Sequence, residues 1–326
     1  MDCGGIKCRR AQLIKRGTNP MRTSRNRDSR TLRKARPMTT VAFLGLGNMG
    51  GPMAANLLAA GYTVRGFDPL SAARDAAERN GAAVFTAGAD AVAGADVVIT
   101  SLPNGAVVHA CYAEALPVAK PGALFIDTST ISVADAREIN SSAEELGMEQ
   151  IDAPVSGGVN GATAGTLAFM VGGREAAVER ARPILEPMAG KIIHTGQSGT
   201  GQAAKLCNNM MLGVQQIAVG EAFVLAEKLG LSAQSLYDVV TGATSNCWSV
   251  EINCPVPGPV PTSPANSEFK PGFATALMHK DLGLAMAAVA TAGTRAPLGS
   301  LAAEIYLQFN EDNAHKDFSA VIELMR

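Results

Sequence analysis

The stretch "TVAFLGLGNMGGPMAANLLAAG" (residues 40–61) constrains this chain more than any other. An apolar run of strand type ends in glycines. Apolar residues at helical spacing then follow and stop at Gly61. Gly45, Leu46, Gly47, Asn48, Met49 and Gly50 fit the pattern GxGxxG, and Asp68 ends the next apolar run 23 residues after Gly45. Alone, the glycine pattern is weak, and an ordinary helix-entry turn would also satisfy it. In this strand–turn–helix context it points to a dinucleotide. The first glycine allows the tight turn, the second lets backbone approach a diphosphate, and the third lets the helix pack closely on the strand. The diphosphate would sit at the helix N-terminus, where free N–H groups point outward. Asp68 would accept hydrogen bonds from the adenosine ribose, which favours NAD over NADP because a 2′-phosphate is repelled. Arg65 and Arg74 are the nearby cations that could answer such a phosphate.

Beyond this stretch, short apolar runs continue to alternate with helical ones: "YTVRGFD", "PLSAARDAAERNG", "ADVVITSLP", "GAVVHACYAEAL", "ALFIDTST", "SVADAREINSSAEELG", "MEQIDAPVS", "TLAFMVGG", "REAAVERARPILEPMA" and "KIIHTG". Strands alternating with helices of these lengths imply a mostly parallel, doubly wound sheet. After Gly199 the strand signals stop, and four helical stretches and one Pro-rich loop, "CPVPGPVPTSPANSEFKPGF", remain. The fold class is therefore α/β, an N-terminal Rossmann-like doubly wound sheet followed by an all-α C-terminal domain. The expected divisions are a basic extension over 1–37, a dinucleotide-binding domain over 38–198, and an all-α substrate and dimerisation domain over 199–326. Ligands of open α/β sheets sit beyond the carboxyl ends of strands. Ser101, Leu102 and Pro103 in "SLP", and Asp127, Thr128, Ser129 and Thr130 in "DTST", are placed to line that crevice; plain strand-exit turns are the alternative. Gly157 and Gly158 could offer backbone N–H groups to a carboxylate or could form an ordinary turn.

The helix "GQAAKLCNNMMLGVQQIAVGE" holds one formal charge between Ala203 and Gly220, that of Lys205. Leu206, Met210, Leu212, Val214 and Ile217 suggest a helix buried on most sides. A buried ammonium is costly unless it is paired or loses its proton. Asn208 and Asn209 lie three and four residues on, on the face of Lys205. A structural hydrogen-bond cluster and an active site both fit that pattern.

Charge excludes some roles. Residues 1–37 hold 12 Lys/Arg against 2 Asp/Glu, whereas the remainder holds 16 against 27. An acidic body argues against nucleic acid as a partner. The basic extension lacks the composition of a core. It reads as a mitochondrial transit peptide or as sequence upstream of a start at Met38. The expected compartment is the cytoplasm, or the mitochondrial matrix if the extension is a transit peptide. No run reaches the apolar length of a membrane span, so no membrane partner is expected. Six cysteines without CxxC spacing and four scattered histidines suggest reduced thiols and no metal site.

"FLGLGNMGGPMAANL", "DTSTIS", "DAPVSGGVNGATAGTLAFMVGG", "GTGQAAKLCNNM" and "LMHKDLGLA" together resemble the β-hydroxyacid dehydrogenase family over nearly all of residues 38–326. "CWSVEINCPVPG" and "PANSEFKPGF" resemble its 3-hydroxyisobutyrate branch. "DTSTIS" lacks the acid–proline continuation of many relatives, and "LPNGAVV" differs after the proline, at a cofactor contact near Val107. The resemblance implies NAD-dependent oxidation of 3-hydroxyisobutyrate to methylmalonate semialdehyde, a step of valine breakdown. Lys205 would be the general acid/base, and Asn209 would orient it or the substrate. Ser129, Gly157, Gly158, Asn208 and Asp281 would line the substrate site, and Lys280 would lie near cofactor and substrate, steadied by Asp281. A homodimer or homotetramer is implied. The alternatives are a relative acting on tartronate semialdehyde, serine or 3-hydroxypropionate, and a non-catalytic dinucleotide-binding interaction protein.

Overall fold

The computed structural model describes residues 39–326; the basic extension falls outside the described residues. The first half alternates strands and helices: β1 (Thr40–Leu44), α1 (Gly50–Ala59), β2 (Thr63–Phe67), α2 (Ser71–Arg79), β3 (Ala83–Phe85), α3 (Gly88–Val92), β4 (Val97–Thr100), α4 (Gly105–Ala115), β5 (Leu124–Asp127) and α5 (Val133–Glu145). Then come β6 (Glu149–Asp152), β7 (Val155–Ser156), α6 (Gly158–Ala164), β8 (Leu167–Gly172), α7 (Glu175–Leu185) and β9 (Ala189–Gly196). The strands form one sheet in the order β3-β2-β1-β4-β5-β6-β8-β7, with β9 paired to β8. Neighbours from β3 to β6 run parallel. The direction reverses at β8, which is antiparallel to β6 and β7 and parallel to β9.

Both faces of this sheet are covered, so its strands are apolar on both sides. Along β1, Val41 and Phe43 enter one core with Met53, Leu57, Ile126 and Phe169. Ala42 and Leu44 enter the other with Val98, Val108, Phe125 and Ile139. That is the period-two alternation of a strand applied to an unbroken apolar run. Strand order turns outward in opposite senses from β1 and β4, which opens a crevice between their carboxyl ends.

After Gly199 the chain is helical: α8 (Thr200–Lys228), α9 (Ala233–Thr241), α10 (Trp248–Glu251), α11 (Thr275–Thr291) and α12 (Pro297–Asn313), closed by a 3-10 helix over Phe318–Met325. The Pro-rich stretch forms only a 3-10 turn at Pro264–Ser267. Ile217, Met278, Leu282, Tyr306, Phe309 and Phe318 make the core shared by α8, α11 and α12. At its start α8 is tied to the sheet. The buried Asp152 carboxylate accepts from Gly199 N (2.7 Å) and Gln202 N (2.9 Å). A Cβ on Gly201 would come within 2.4 Å of Met170 O.

Two expectations need correction. The helix carrying Lys205 is not buried on most sides, since Met211 and Leu225 are exposed and Met210, Leu212 and Val214 only half-buried. Also, α8 is long and apolar enough, by length and composition, to cross a membrane. Gln202, Lys205, Asn209 and Gln216 are buried along it against the rest of the fold, as in the core helix of a folded domain. The sequence pattern missed the short β3, α3, α6 and α10.

Candidate active site

The glycine turn is built by contact. Gly45 adopts φ +95°, and a Cβ there would lie 2.3 Å from Ser101 O, at the exit of β4. A Cβ on Gly50 would lie 1.9 Å from Gly45 O, so α1 can start this close to β1 only with glycine. A Cβ on Gly47 would meet nothing within 4 Å, which leaves open space where backbone must approach a ligand. Leu46, Asn48 and Met49 complete the turn, with Met49 at the N-cap of α1. The buried Asp68 carboxylate accepts from Leu46 N (2.8 Å) and Leu70 N (2.9 Å), which fixes it beside the turn. Arg65 is committed elsewhere, donating to the Ala93 and Asp90 carbonyls and lying over the Phe85 ring. Arg74 stays beside Asp68, donating to Asp68 O (2.6 Å) and Pro69 O (3.1 Å). The open turn, the helix start and the fixed carboxylate fit a dinucleotide without a 2′-phosphate.

The second half of the site hangs on the strand exits. Leu102 N donates to Ser129 Oγ (2.8 Å), joining the loops after β4 and β5. Beneath them the buried Asp127 carboxylate accepts through Oδ1 from Thr100 Oγ1 (2.7 Å) and Ser129 N (3.1 Å). Its burial raises its pKa to about 6, against the opposing pull of those donors. The buried Gln202 side chain holds the same loop from α8, with Nε2 donating to Ser129 O (2.8 Å) and Oε1 accepting from Ile131 N (3.1 Å). From α11, Lys280 Nζ donates to Thr130 O (2.9 Å) and Pro103 O (3.3 Å).

One turn beyond Gln202 stands Lys205, 6% exposed. Among the described residues it forms no salt bridge within 4 Å. Its Nζ lies 5.9 Å from the centre of the Phe273 ring. Burial depresses its pKa; Asp281 opposes the shift and Lys280 adds to it. Asn209, 1% exposed, donates to Asp281 Oδ2 (2.6 Å), and Asn208 donates to Asn209 Oδ1 (2.9 Å). Asn208 itself is exposed, so its link to the pocket runs through Asn209. Lys280 Nζ lies 3.4 Å from Asp281 Oδ1, an ion pair without hydrogen-bond alignment. Gly157 (φ +133°), the N-cap of α6, and Gly158 (φ +61°), its first residue, form two successive positions with positive φ. A Cβ on Gly158 would meet Gly272 O at 2.9 Å, which places this turn against the end of the Pro-rich loop.

The residues singled out from sequence thus form one connected set. Asp127, from the "DTST" stretch, belongs to it too, as do Gln202 and Phe273, which the sequence reading passed over. Gln202 was within reach, because it lies three residues before Lys205 on the same helical face. Phe273 was not, because it arrives from a loop 68 residues away.

Comparison with known proteins agrees with this geometry. Residues 40–196 match the model of the NAD binding domain of 6-phosphogluconate dehydrogenase. Residues 199–325 match that described as NAD-binding of NADP-dependent 3-hydroxyisobutyrate dehydrogenase. The chain is 68% identical to a probable 3-hydroxyisobutyrate dehydrogenase of Mycobacterium tuberculosis, over 89% of this chain and 98% of that protein. It is 43% identical to an NAD-dependent L-serine dehydrogenase of Pseudomonas aeruginosa, over 88% and 98%. A solved structure of Mycobacterium tuberculosis 3-hydroxyisobutyrate dehydrogenase with L-serine superposes with a TM-score of 0.86 at 68% identity, covering 89% of this chain and all of that one. By fold, by both halves of the site and by identity along nearly its whole described length, this chain belongs to the 3-hydroxyisobutyrate dehydrogenase family of NAD-dependent oxidoreductases.

Proposed function

We propose that the protein oxidises the primary alcohol of 3-hydroxyisobutyrate to methylmalonate semialdehyde, in valine breakdown, with Lys205 as the acid/base group. One observation carries the reading: a lysine on a buried helical face, its ammonium disfavoured by burial, stands one turn from two amides and one turn from Gln202, which holds the loop after β5. Alcohol oxidation needs a group that takes the hydroxyl proton as hydride leaves carbon. The neutral Lys205 amine takes that proton. NAD, when bound, accepts the hydride. Asn209, fixed by Asp281, orients the amine and the substrate hydroxyl, and Asn208 steadies Asn209. Ser129 and the N–H groups at Gly157 and Gly158 receive the carboxylate. Leu102, Pro103 and Thr130 shape the nicotinamide side, with Lys280 bracing the last two.

L-serine is a second reading, favoured by the serine dehydrogenase relative and by the structure that carries serine. Serine keeps the carboxylate and hydroxymethyl group and replaces a methyl by an amine. We further propose a homodimer or homotetramer joined through the helical half, where Met211, Leu225, Leu229, Leu298, Leu301 and Leu307 are exposed. A cytoplasmic location remains part of the proposal. The deciding experiment is NADH formation by the purified protein with 3-hydroxyisobutyrate, L-serine, glycerate and 3-hydroxypropionate in parallel, with Lys205→Ala as control. Preference for 3-hydroxyisobutyrate, lost in the variant while NAD still binds, is the expected result. Preference for serine would replace the substrate and keep the mechanism.

A further inference from the structure

The wall that faces Lys205 is held in place by a carboxylate outside the set above. Asp317, 1% exposed, begins the C-terminal 3-10 helix. Its Oδ2 accepts from Gly272 N (3.0 Å) and Phe273 N (3.1 Å). Its Oδ1 accepts from Asn253 Nδ2 (3.1 Å), Ser319 N (3.0 Å) and Ser319 Oγ (2.7 Å). The backbone closes the knot, as Asp317 N donates to Phe269 O (2.8 Å) and Phe318 N to Phe273 O (3.0 Å). The Phe273 and Phe318 rings meet edge to face at 5.6 Å. The segment so gripped enters through Glu268 (φ +51°) and Phe269 (φ +54°), the described non-glycine residues with left-handed backbone. Two such residues in succession persist only where surroundings over-determine them.

We propose that Asp317 is a positioning residue for the proposed proton transfer: it pins the strap 268–273 so that Phe273 closes the wall over Lys205 Nζ and keeps water from it. The inference rests on the acid/base role proposed for Lys205. Asp317 never touches the amine; it acts through Phe273. The charged groups facing Lys205 are Asp281, which favours the ammonium, and Lys280, which opposes it, both from α11. Neither belongs to the strap. Loosening the strap therefore changes hydration at Lys205 and leaves its charged neighbours in place, and a better-hydrated ammonium holds its proton more strongly.

Asp317→Asn tests this. Its single acceptor oxygen cannot serve five donors, and its NH2 group would oppose some of them. The titration of Lys205 is followed by NMR in protein carrying 13C at lysine Cε, with the signal assigned by its loss in Lys205→Arg. We expect the titration to move to higher pH, with kcat/KM at pH 7 falling about tenfold and largely recovering at alkaline pH. Phe273→Ala, which leaves the knot intact, should move the titration in the same direction. Ser319→Ala removes one donor from Oδ1 and covers the case in which Asp317→Asn fails to fold; it should give a smaller shift. Folded Asp317→Asn or Ser319→Ala with a wild-type Lys205 titration would overturn the inference, as would Phe273→Ala without a shift. A moved titration with an unmoved pH–rate limb would uphold the role of Asp317 and remove Lys205 as the base.

Discussion

Two lysines reach the site from different helices, and their surroundings are opposite. On α8, Lys205 is nearly inaccessible, and its Nζ lies 5.9 Å from the centre of the Phe273 ring. On α11, Lys280 is more exposed and is engaged by two carbonyls and a carboxylate. A lysine engaged by acceptors on two loops serves as a brace. One stripped of water and partners is pushed toward the neutral amine and becomes able to take a proton. The same side chain is thus a brace in one setting and, in the proposed mechanism, the proton acceptor in the other.

The sharpest way to break this contrast is Lys205→Ala. Loss of a positioned acid/base group should lower kcat/KM by about a thousandfold, with NAD affinity, read by fluorescence titration, unchanged. Lys205→Arg should be as inactive, because a guanidinium does not give up its proton. In the unaltered enzyme kcat/KM should rise with pH through the depressed Lys205 pKa and level off below the pH at which an ordinary lysine titrates. A limb at the ordinary lysine position would contradict the role of burial. Lys280→Met comes next. Losing the brace on Pro103 and Thr130 should cost about 10- to 100-fold in kcat/KM through misplacement, and losing a cation that disfavours the Lys205 ammonium should move the pH limb upward; a limb left in place or moved downward would remove that electrostatic contribution.

Two carboxylates extend the comparison with smaller effects. Asp68→Ala removes the charge that repels a 2′-phosphate while Arg74 remains nearby, and should shift the NAD/NADP ratio of kcat/KM toward NADP by about tenfold. An unchanged ratio would remove Asp68 as the selector. Asp127→Asn has the mildest expected effect. The folded pKa of Asp127, about 6, stands above the ordinary value of 3.8. The protonated form is therefore the favoured buried form. Its stability is fully present below pH 3.8 and is lost as pH rises through 6. At pH 7–8 the amide avoids that cost, but it accepts more weakly from Thr100 and Ser129. The net gain should be about 1 kcal/mol, read as a higher Tm that disappears near pH 4. A gain that persists at pH 4 would mean that burial of charge is not its origin.

The parts legible in sequence were those written in local spacing. The turn from Gly45 to Gly50, Asp68 after the next strand, and the shared face of Lys205 and Asn209 each follow from a fixed interval along one strand or helix. What escaped depends on segments distant along the chain. The reversal at β8 is set by how β6, β7 and β9 share its edges, which no periodicity records. The strand β3 has three residues and α3 five, too few to establish a period. Exposure of Asn208 beside buried Asn209 reflects which side of α8 faces α11, and three- and four-residue spacing does not separate them. Nor could an apolar composition distinguish a core helix from one with a free apolar face, and α8 is both along its length.

The tie between Asp152 and the start of α8 has a mechanical consequence. A helix of 29 residues is about 43 Å long, and the hydrogen bonds from Asp152 hold this one at its first turn. Were α8 to rock about that tie, its first turn would be the fulcrum. A tilt of 5° would carry Lys228 through about 3.5 Å and Lys205 through only about 0.6 Å, given a rise of roughly 1.5 Å per residue. Lys205, the proposed proton-transfer group, sits near the fulcrum, where a large swing of the far end becomes a movement smaller than a bond length.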